Sequence, residues 1–164
     1  MTEPAFVLRD PAHRVSPKAR TLWQLQCGLT AGIGVIGLLV GALVWREYDA
    51  RWWVLGAAVL VGAAYAVVVP RWRYAVHRWE ITDTAVYTQR GWWARERRIA
   101  PMSRVQTVDL AQGPIDRLFG LSTLTVTTAS AAGPLRIEGL DRPLALELSE
   151  RLTRNAEAAG GDAT

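Results

Sequence analysis

Residue types that commonly carry out chemistry are few in this sequence and lie far apart. His13 and His77 are the only histidines, and the only cysteine, Cys27, lies within a long apolar stretch. A metal site needs several ligands close together, and nucleophilic catalysis needs a base beside the nucleophile. A thiol in apolar surroundings is also poorly ionised and unreactive. The sequence therefore predicts that the protein is not an enzyme and has no catalytic residues, metal site, cofactor or small-molecule substrate.

One sequence motif typical of dinucleotide binding is present, but the structural context that such a site needs is missing. Residues 32–37 read Gly-Ile-Gly-Val-Ile-Gly, which fits G-x-G-x-x-G. A dinucleotide site needs a strand before the glycines and an acidic residue about 20 positions after them. These glycines lie inside an apolar stretch, and the region around Ala57 has no acid. We therefore interpret them as residues of a helix that packs closely against another helix.

Two glycine pairs have the spacing that brings membrane helices together, Gly28-x-x-x-Gly32 and Gly37-x-x-x-Gly41. Their partner is either the small residues of a second apolar stretch or another copy of the chain. The alternative is that glycine is simply common in membrane helices.

Two long stretches without a charged side chain place the protein in a membrane. They are residues 21–45 and 52–70, and six residues separate them. A helix needs roughly 20 mostly apolar residues to cross the hydrocarbon core of a bilayer. The apolar region of a cleaved signal peptide is shorter, roughly 7–15 residues, and buried soluble helices rarely lack charge over such a length. We predict a helical hairpin with spans over about 22–45 and 52–70.

The flanks of the spans predict the orientation of this hairpin. Tryptophan prefers the headgroup layer, and five of the eight tryptophans lie at span ends. These are Trp23, Trp45, Trp52, Trp53 and Trp72. Basic residues are in excess before the first span and directly after the second, whereas the loop between the spans balances its two arginines with acids. Because cytoplasmic flanks carry the excess of Lys and Arg, both termini should face the cytoplasm of a two-span plasma-membrane protein.

The residues after the hairpin predict a small α+β domain. From Trp79 onward, short β-favouring runs alternate with turn residues, such as the cluster at residues 82–84. The run from Val105 to Leu110 alternates, which would place Gln106 with Val108 and Leu110 on one face and Val105 on the other. A single helical turn should follow and end at Gly120.

A closing helix is predicted at the C-terminal end of the domain. Asp141 is a suitable N-cap, and Leu144, Leu148 and Leu152 form one apolar stripe. Many antiparallel strands and one amphipathic helix indicate a small barrel or split sheet whose open end the helix covers. The expected organisation is a tail over 1–20, the hairpin over 21–72, the domain over 73–155 and a disordered tail over 156–164.

Several motifs of the domain resemble one family of proteins. They are Arg104-Val105-Gln106-Thr107-Val108, then Gln112-Gly113-Pro114-Ile115-Asp116-Arg117-Leu118-Phe119-Gly120-Leu121, then Leu124-x-Val126-x-Thr128. With Trp79-x-Ile81-Thr82 and the turn at Gly91, they resemble the YdbS-like family of bacterial membrane proteins, over roughly residues 20–153. The resemblance implies two spans followed by a cytoplasmic domain similar to a pleckstrin-homology (PH) domain, here a PH-like split barrel. It says little about a ligand.

The family motif selects one candidate recognition site. Its residues are Arg104, Gln106, Gln112, Pro114, Arg117 and Gly120. In one interpretation they are structural: a buried Gln106 satisfies backbone groups of the loop over 112–120, and Arg117 pairs with Asp109 or Asp116. In the other interpretation they form a polar recognition surface.

A second candidate site is a predicted hairpin tip that could contact the membrane surface. It comprises Arg90, Trp92, Trp93, Arg95, Arg97 and Arg98. Each basic residue near an anionic leaflet contributes around 1 kcal/mol to binding. The alternative is that one tryptophan packs inward and the arginines are solvated. PH domains that bind phosphoinositides place basic residues at the first strand-to-strand turn, whereas residues 82–84 are acidic here, which argues against such a ligand.

These observations predict a membrane-anchored scaffold, that is, a protein-interaction or oligomerisation module. Its partners would be the lipid bilayer and either a membrane protein or a second copy of the chain. Scattered arginines after Pro70 argue against a nucleic-acid partner. The alternative function is peripheral recognition of anionic lipid headgroups by the PH-like domain.

Overall fold

The computed structural model describes residues 10–44, 49–91, 93–130 and 133–161. Residues 1–9, 45–48, 92, 131–132 and 162–164 therefore lie outside the described part of the chain, and Trp45 and Trp92 are among them. Two antiparallel helices dominate the first half, α1 (Pro17–Val44) and α2 (Arg51–Val76). Both are long and apolar enough to cross a membrane by length and composition. Helix α2 continues through Pro70 to Val76, past the predicted end of the second span.

Close packing between the two helices occurs at Gly62 rather than at Gly28, Gly32 or Gly37 of α1. A Cβ atom added to Gly62 would lie 3.1 Å from the Cβ of Ala31, whereas one added to Gly28, Gly32 or Gly37 would meet nothing within 4 Å. These three glycines therefore do not pack against α2 as the first alternative supposed. Contact with another copy stays a prediction.

The two glycine pairs also lie on different sides of α1. Gly28 and Gly37 are nine positions apart, and nine steps of about 100° place them on opposite sides of the helix. Gly37 and Gly41 border an apolar groove of about 390 Å³ between α1 and α2, at the end where the helices are connected. One continuous glycine face is therefore excluded.

Two antiparallel sheets follow the helices. The first has the strand order β1-β2-β3-β4, with β1 (His13–Arg14), β2 (Arg78–Ile81), β3 (Ala85–Arg90) and β4 (Glu96–Pro101). The second has the order β5-β6-β7, with β5 (Val105–Ala111), β6 (Leu121–Thr128) and β7 (Leu135–Asp141). A short 3-10 turn (Met102–Arg104) joins the sheets, and α3 (Pro114–Phe119) joins β5 to β6. The α+β class is confirmed, although the sheets do not close into a barrel.

Helix α4 (Arg142–Gly161) covers the second sheet and closes the core. Leu148 and Leu152 are buried and Leu144 packs against them, which confirms the predicted apolar stripe. The helix continues to Gly161, into the segment expected to be a tail.

The N-terminal residues belong to the folded domain instead of forming a free tail. Strand β1 pairs with β2 through His13 and Trp79, and the Trp79 indole N–H donates to the Arg14 carbonyl (3.3 Å). The Ala12 N–H donates to the Glu80 carboxylate (3.0 Å). Sequence patterns missed β1 because it is two residues long and forms only on the edge that β2 offers.

The first turns of α1 are part of the domain core. Ala19, Leu22 and Trp23 are buried in the same cluster as the inward side chains of both sheets. The Ser16 N–H donates to the Gly139 carbonyl (2.9 Å) on β7. Gly139 has φ 74°, and a Cβ added there would lie 2.6 Å from the Cβ of Ala19. The absence of a side chain at Gly139 therefore lets α1 approach β7 closely.

We predict that Gly139→Ala destabilises the protein by about 1–3 kcal/mol more than Gly133→Ala. Both glycines have a positive φ, 74° and 76°, so both substitutions carry the same backbone penalty. A Cβ at Gly133 meets nothing within 4 Å, so only Gly139→Ala adds a clash with α1. Denaturant unfolding of the two variants in detergent measures the difference. An equal loss of unfolding free energy in the two variants would mean that α1 does not contact β7 as described.

Candidate functional site

The turn after β5 is built by the family motif itself. The Gln112 side-chain amide donates to the Leu121 carbonyl (2.7 Å), and the Asp116 carboxylate accepts from the Gly113 N–H (3.0 Å). Gly120 ends α3 in the left-handed conformation, with φ 65°, as predicted. Pro114 occupies the first turn of α3, where a missing N–H costs nothing. These residues therefore shape the loop.

Gln106 lies at an irregularity in β5 and faces solvent. Val105 pairs with Thr128 while Thr107 pairs with Thr127, so Gln106 is the extra residue of a β-bulge. The bulge turns Val105 and Val108 toward the core together. The structural interpretation, in which Gln106 is buried, therefore does not hold, because Gln106 is exposed. The prediction that Val105 and Val108 lie on opposite faces is wrong.

Arg117 and its neighbour point outward from α3. Arg117 is exposed, and in the described part of the chain it forms no ion pair with Asp109 or Asp116. Leu118 beside it is 82% exposed. Ile115 and Phe119, on the other side of α3, pack against the core. The structural interpretation therefore does not hold for Arg117.

Arg104 borders a polar cleft between the two sheets. The cleft has a volume of about 250 Å³, and Arg98, Thr128 and Ser130 also line it. The Arg98 guanidinium already donates to the Pro134 carbonyl (2.9 Å) across the cleft. Gln106 and α3 lie near opposite ends of β5, roughly 17 Å apart along the strand. The exposed motif residues are therefore divided between two places.

Most arginines of the predicted hairpin tip are ion-paired within the domain. Arg90 and Arg98 each lie 2.8 Å from a Glu96 carboxylate oxygen, and Arg97 pairs with Asp10. The hydrogen bond from Arg90 is the main reason why the pKa of Glu96 is lowered, and the Arg98 charge acts in the same direction. Arg95 is exposed and forms no ion pair within the described residues.

The tip itself lies beside the second membrane helix. Trp93 is 89% exposed, and it borders an apolar groove of about 400 Å³ with Val68, Val69 and Trp72 of α2. The alternative in which a tryptophan packs inward is therefore excluded for Trp93. Trp92 lies outside the described residues.

The junction between hairpin and domain contains a cluster that the sequence did not reveal. The Arg73 guanidinium lies 4.2 Å above the Trp23 ring and 2.6 Å from the Glu138 carboxylate. The His77 ring lies 4.9 Å from the Trp23 ring, and its Nδ1–H donates to the Arg73 carbonyl (2.8 Å). In the sequence, only the position of Trp23 at a span end and the basic residues near the end of the second span pointed to this cluster. Nothing in the sequence pointed to Glu138.

Comparison with known proteins identifies the domain. The family model described as Bacterial PH domain matches residues 26–156, which is most of the chain. The chain belongs to the bacterial PH domain family. It is also similar to the UPF0699 transmembrane protein YdbS of Bacillus subtilis (strain 168), with 29% identity over 157 residues, 93% of this chain and 98% of the relative. No solved structure matches it significantly.

Membership of the bacterial PH domain family confirms the resemblance drawn from the motifs and the α+β fold class. The two apolar helices and the transmembrane relative make this a membrane protein with a bacterial PH domain. Among the residues that the structure describes, His, Cys, Asp and Glu do not gather in groups of three or more. The family description names no enzymatic activity.

The junction of this bacterial PH domain should respond to acid. Burial lowers the pKa of His77 below its usual 6.5; the Arg73 and Arg90 charges act in the same direction, while the Arg73 carbonyl and Glu138 oppose them. At a pH between the lowered pKa of His77 in the folded protein and its usual pKa in the unfolded chain, the unfolded chain binds a proton that the folded protein does not. The free energy of unfolding therefore falls as the pH drops below about 6.5, by at most about 1.4 kcal/mol per pH unit.

Thermal unfolding of the wild type and His77→Phe between about pH 7.5 and pH 5.5 tests this expectation. Phenylalanine keeps a ring against Trp23 but cannot titrate. The variant should therefore lose part of the pH dependence even though it is less stable at every pH. An unchanged slope would show that His77 does not titrate in this window.

Proposed function

We propose that the protein is a non-enzymatic docking module, held at the plasma membrane with its bacterial PH domain in the cytoplasm. The observation that carries this proposal is the outer edge of β5, which pairs with no other strand among the described residues. Strand β5 ends the order β5-β6-β7, and five of its seven residues are exposed. An unpaired strand edge offers a row of backbone donors and acceptors to an extended segment of another chain.

The side chains of β5 suit a protein partner. Leu110 is exposed, and neutral polar side chains at Gln106 and Thr107 lie on the same strand. Apolar and polar side chains beside free backbone groups support pairing with a polypeptide better than with a lipid headgroup. The bulge at Gln106 limits the register in which a partner strand can pair.

Membrane anchoring makes a weak interface sufficient. Two proteins confined to the same bilayer meet at a raised effective concentration, so a short paired strand can hold them together. The partner is then an extended segment of another membrane protein or of a second copy of this chain. Oligomers of this kind would also use the glycines of α1 that do not pack against α2.

The cytoplasmic placement can be tested with a reporter fused after Thr164. The excess of basic residues on the flanks of the hairpin favours both termini inside. A reporter that is active only in the cytoplasm should be active there, and one active only outside should be silent. The reverse pattern would overturn the orientation.

Docking at the β5 edge predicts that Leu110→Lys dissociates the complex, whereas Leu146→Lys does not. The two leucines are similarly exposed, at 37% and 44%, but Leu146 lies on α4. A lysine on an edge strand opposes pairing with another strand. Crosslinking in native membranes, followed by gel analysis of the full-length protein, should capture a higher-mass species that Leu110→Lys reduces at least about tenfold, a loss of about 1.4 kcal/mol.

Two results would contradict docking at this edge. One is a strictly monomeric wild type, and the other is a complex that both lysine variants keep equally.

Recognition of anionic headgroups is the second candidate, and one observation favours it. Trp93 lies at the tip beside α2, and the nearby Arg95 is exposed, with no ion pair to another described residue. The ion pairs of Arg90, Arg97 and Arg98 leave little free charge for such binding. Asp83, in the turn between β2 and β3 of the first sheet, pairs with Arg151 (3.1 Å). Because α1 contributes to the core, lipid binding has to be measured on the full chain and not on a fragment that begins at Trp79.

A further inference from the structure

We propose that the tip between β3 and β4, which the structure describes at Gly91 and residues 93–95, is a third membrane contact. In this arrangement Trp93 inserts beside Trp72 into the leaflet on the domain side, and a phospholipid acyl chain fills the groove between them. The proposal rests on the membrane location of α2 and is independent of docking at β5.

The walls of the groove indicate its occupant. Val68 and Val69 belong to the uncharged stretch of α2, and Trp72 follows it directly. Their surface is covered by lipid wherever α2 lies in the bilayer. Trp93 borders the same groove of about 400 Å³, so its ring lies at the depth of the last apolar turn of the span. The groove is therefore open to acyl chains on the side that α2 presents to lipid.

The strand register places the tip at the membrane end of the domain. Strand β2 begins two residues after α2 ends, and its first residue, Arg78, pairs with Gln89 near the end of β3. Arg90 then pairs with Glu96 across the tip, whereas Ala85 pairs with Pro101 at the other end of the sheet. The tip therefore lies beside the helix that leaves the bilayer.

Exposure of Trp93 fits lipid better than water. An indole ring that is 89% exposed beside a half-exposed Trp72 is a large apolar surface for a soluble face. In the headgroup layer the ring can bury its apolar part while its N–H remains hydrated. Glu96 and Asp10 neutralise arginines behind the tip, which lowers the cost of holding the tip close to hydrocarbon.

Arg71 and Arg95 are placed to anchor the tip from the polar side. Both are exposed, and neither forms an ion pair within the described residues. Arg71 immediately precedes Trp72, and Arg95 lies two residues after Trp93. Long basic side chains at this depth extend toward the headgroup phosphates while their stems stay apolar.

Spin-label accessibility in lipid nanodiscs tests the insertion directly. In a Cys27→Ser background of the full chain, nitroxides are attached at Ala94→Cys and, as a matched control, at Ala129→Cys. Both alanines are exposed, but Ala129 follows β6, and its N–H donates to the Arg104 carbonyl. This contact lies at the end of the domain away from the tip. The nanodiscs contain phosphatidylethanolamine and phosphatidylglycerol.

The label at residue 94 should collide more with oxygen and several-fold less with a water-soluble nickel chelate than the label at residue 129. Trp93→Ser should raise the nickel accessibility at residue 94 toward the control value, while Trp93→Phe should leave it low. Equal nickel accessibility at the two sites in the unsubstituted background would overturn the insertion. A low value that persists in Trp93→Ser would overturn the role of Trp93.

A phospholipid with a diazirine on its acyl chain tests the occupant of the groove. After irradiation, mass spectrometry of the unlabelled full-length protein should find the adduct on the peptide that contains residues 91–95. Adducts confined to α1 and α2, with none on this peptide, would show that acyl chains do not reach the groove.

Discussion

The arrangement of the whole molecule depends on the contact between α1 and the domain core. Ala19 is fully buried against the bare backbone of Gly139, and Leu22 and Trp23 follow it into the same apolar cluster. The helix that crosses the membrane therefore begins inside the domain. An isolated domain would lose part of its core, and an isolated hairpin would expose apolar side chains to water.

A second set of contacts extends this coupling to α2. Trp23 contacts both the Arg73 guanidinium and the His77 ring, so both helices meet the domain at one aromatic side chain. Arg73 also reaches Glu138 on β7, and Lys18 reaches Asp141 on the same strand (3.0 Å). The pKa of Asp141 is lowered although burial opposes it, because the Lys18 ammonium donates a hydrogen bond to its carboxylate and adds a favourable charge. These contacts favour one orientation of the domain relative to the two helices, and in this orientation the β3–β4 tip lies beside α2.

Sequence patterns predicted the features that depend on local composition. The two spans, α3 with its Gly120 end and the leucine stripe of α4 were all predictable because each depends on a periodicity or on one residue type. The bulge at Gln106 was not predictable, since it depends on how β5 pairs with β6 and reverses the expected faces of the strand. The pairing of Arg97 with Asp10 joins residues 87 positions apart, so a cluster of arginines looked free of partners when it was not.

For the function, the consequence is a division of surfaces. In the proposed function the β3–β4 tip contacts the membrane, and the outer edge of β5, on the second sheet, binds a polypeptide partner. Such a division works only if the hairpin and the domain move as one body. A pair of nitroxides at Val61→Cys in α2 and Ala129→Cys in the domain, in a Cys27→Ser background, measures this by pulsed electron spin resonance in nanodiscs. A single narrow distance distribution is expected, whereas a broad distribution, typical of a domain on a flexible tether, would contradict the shared core.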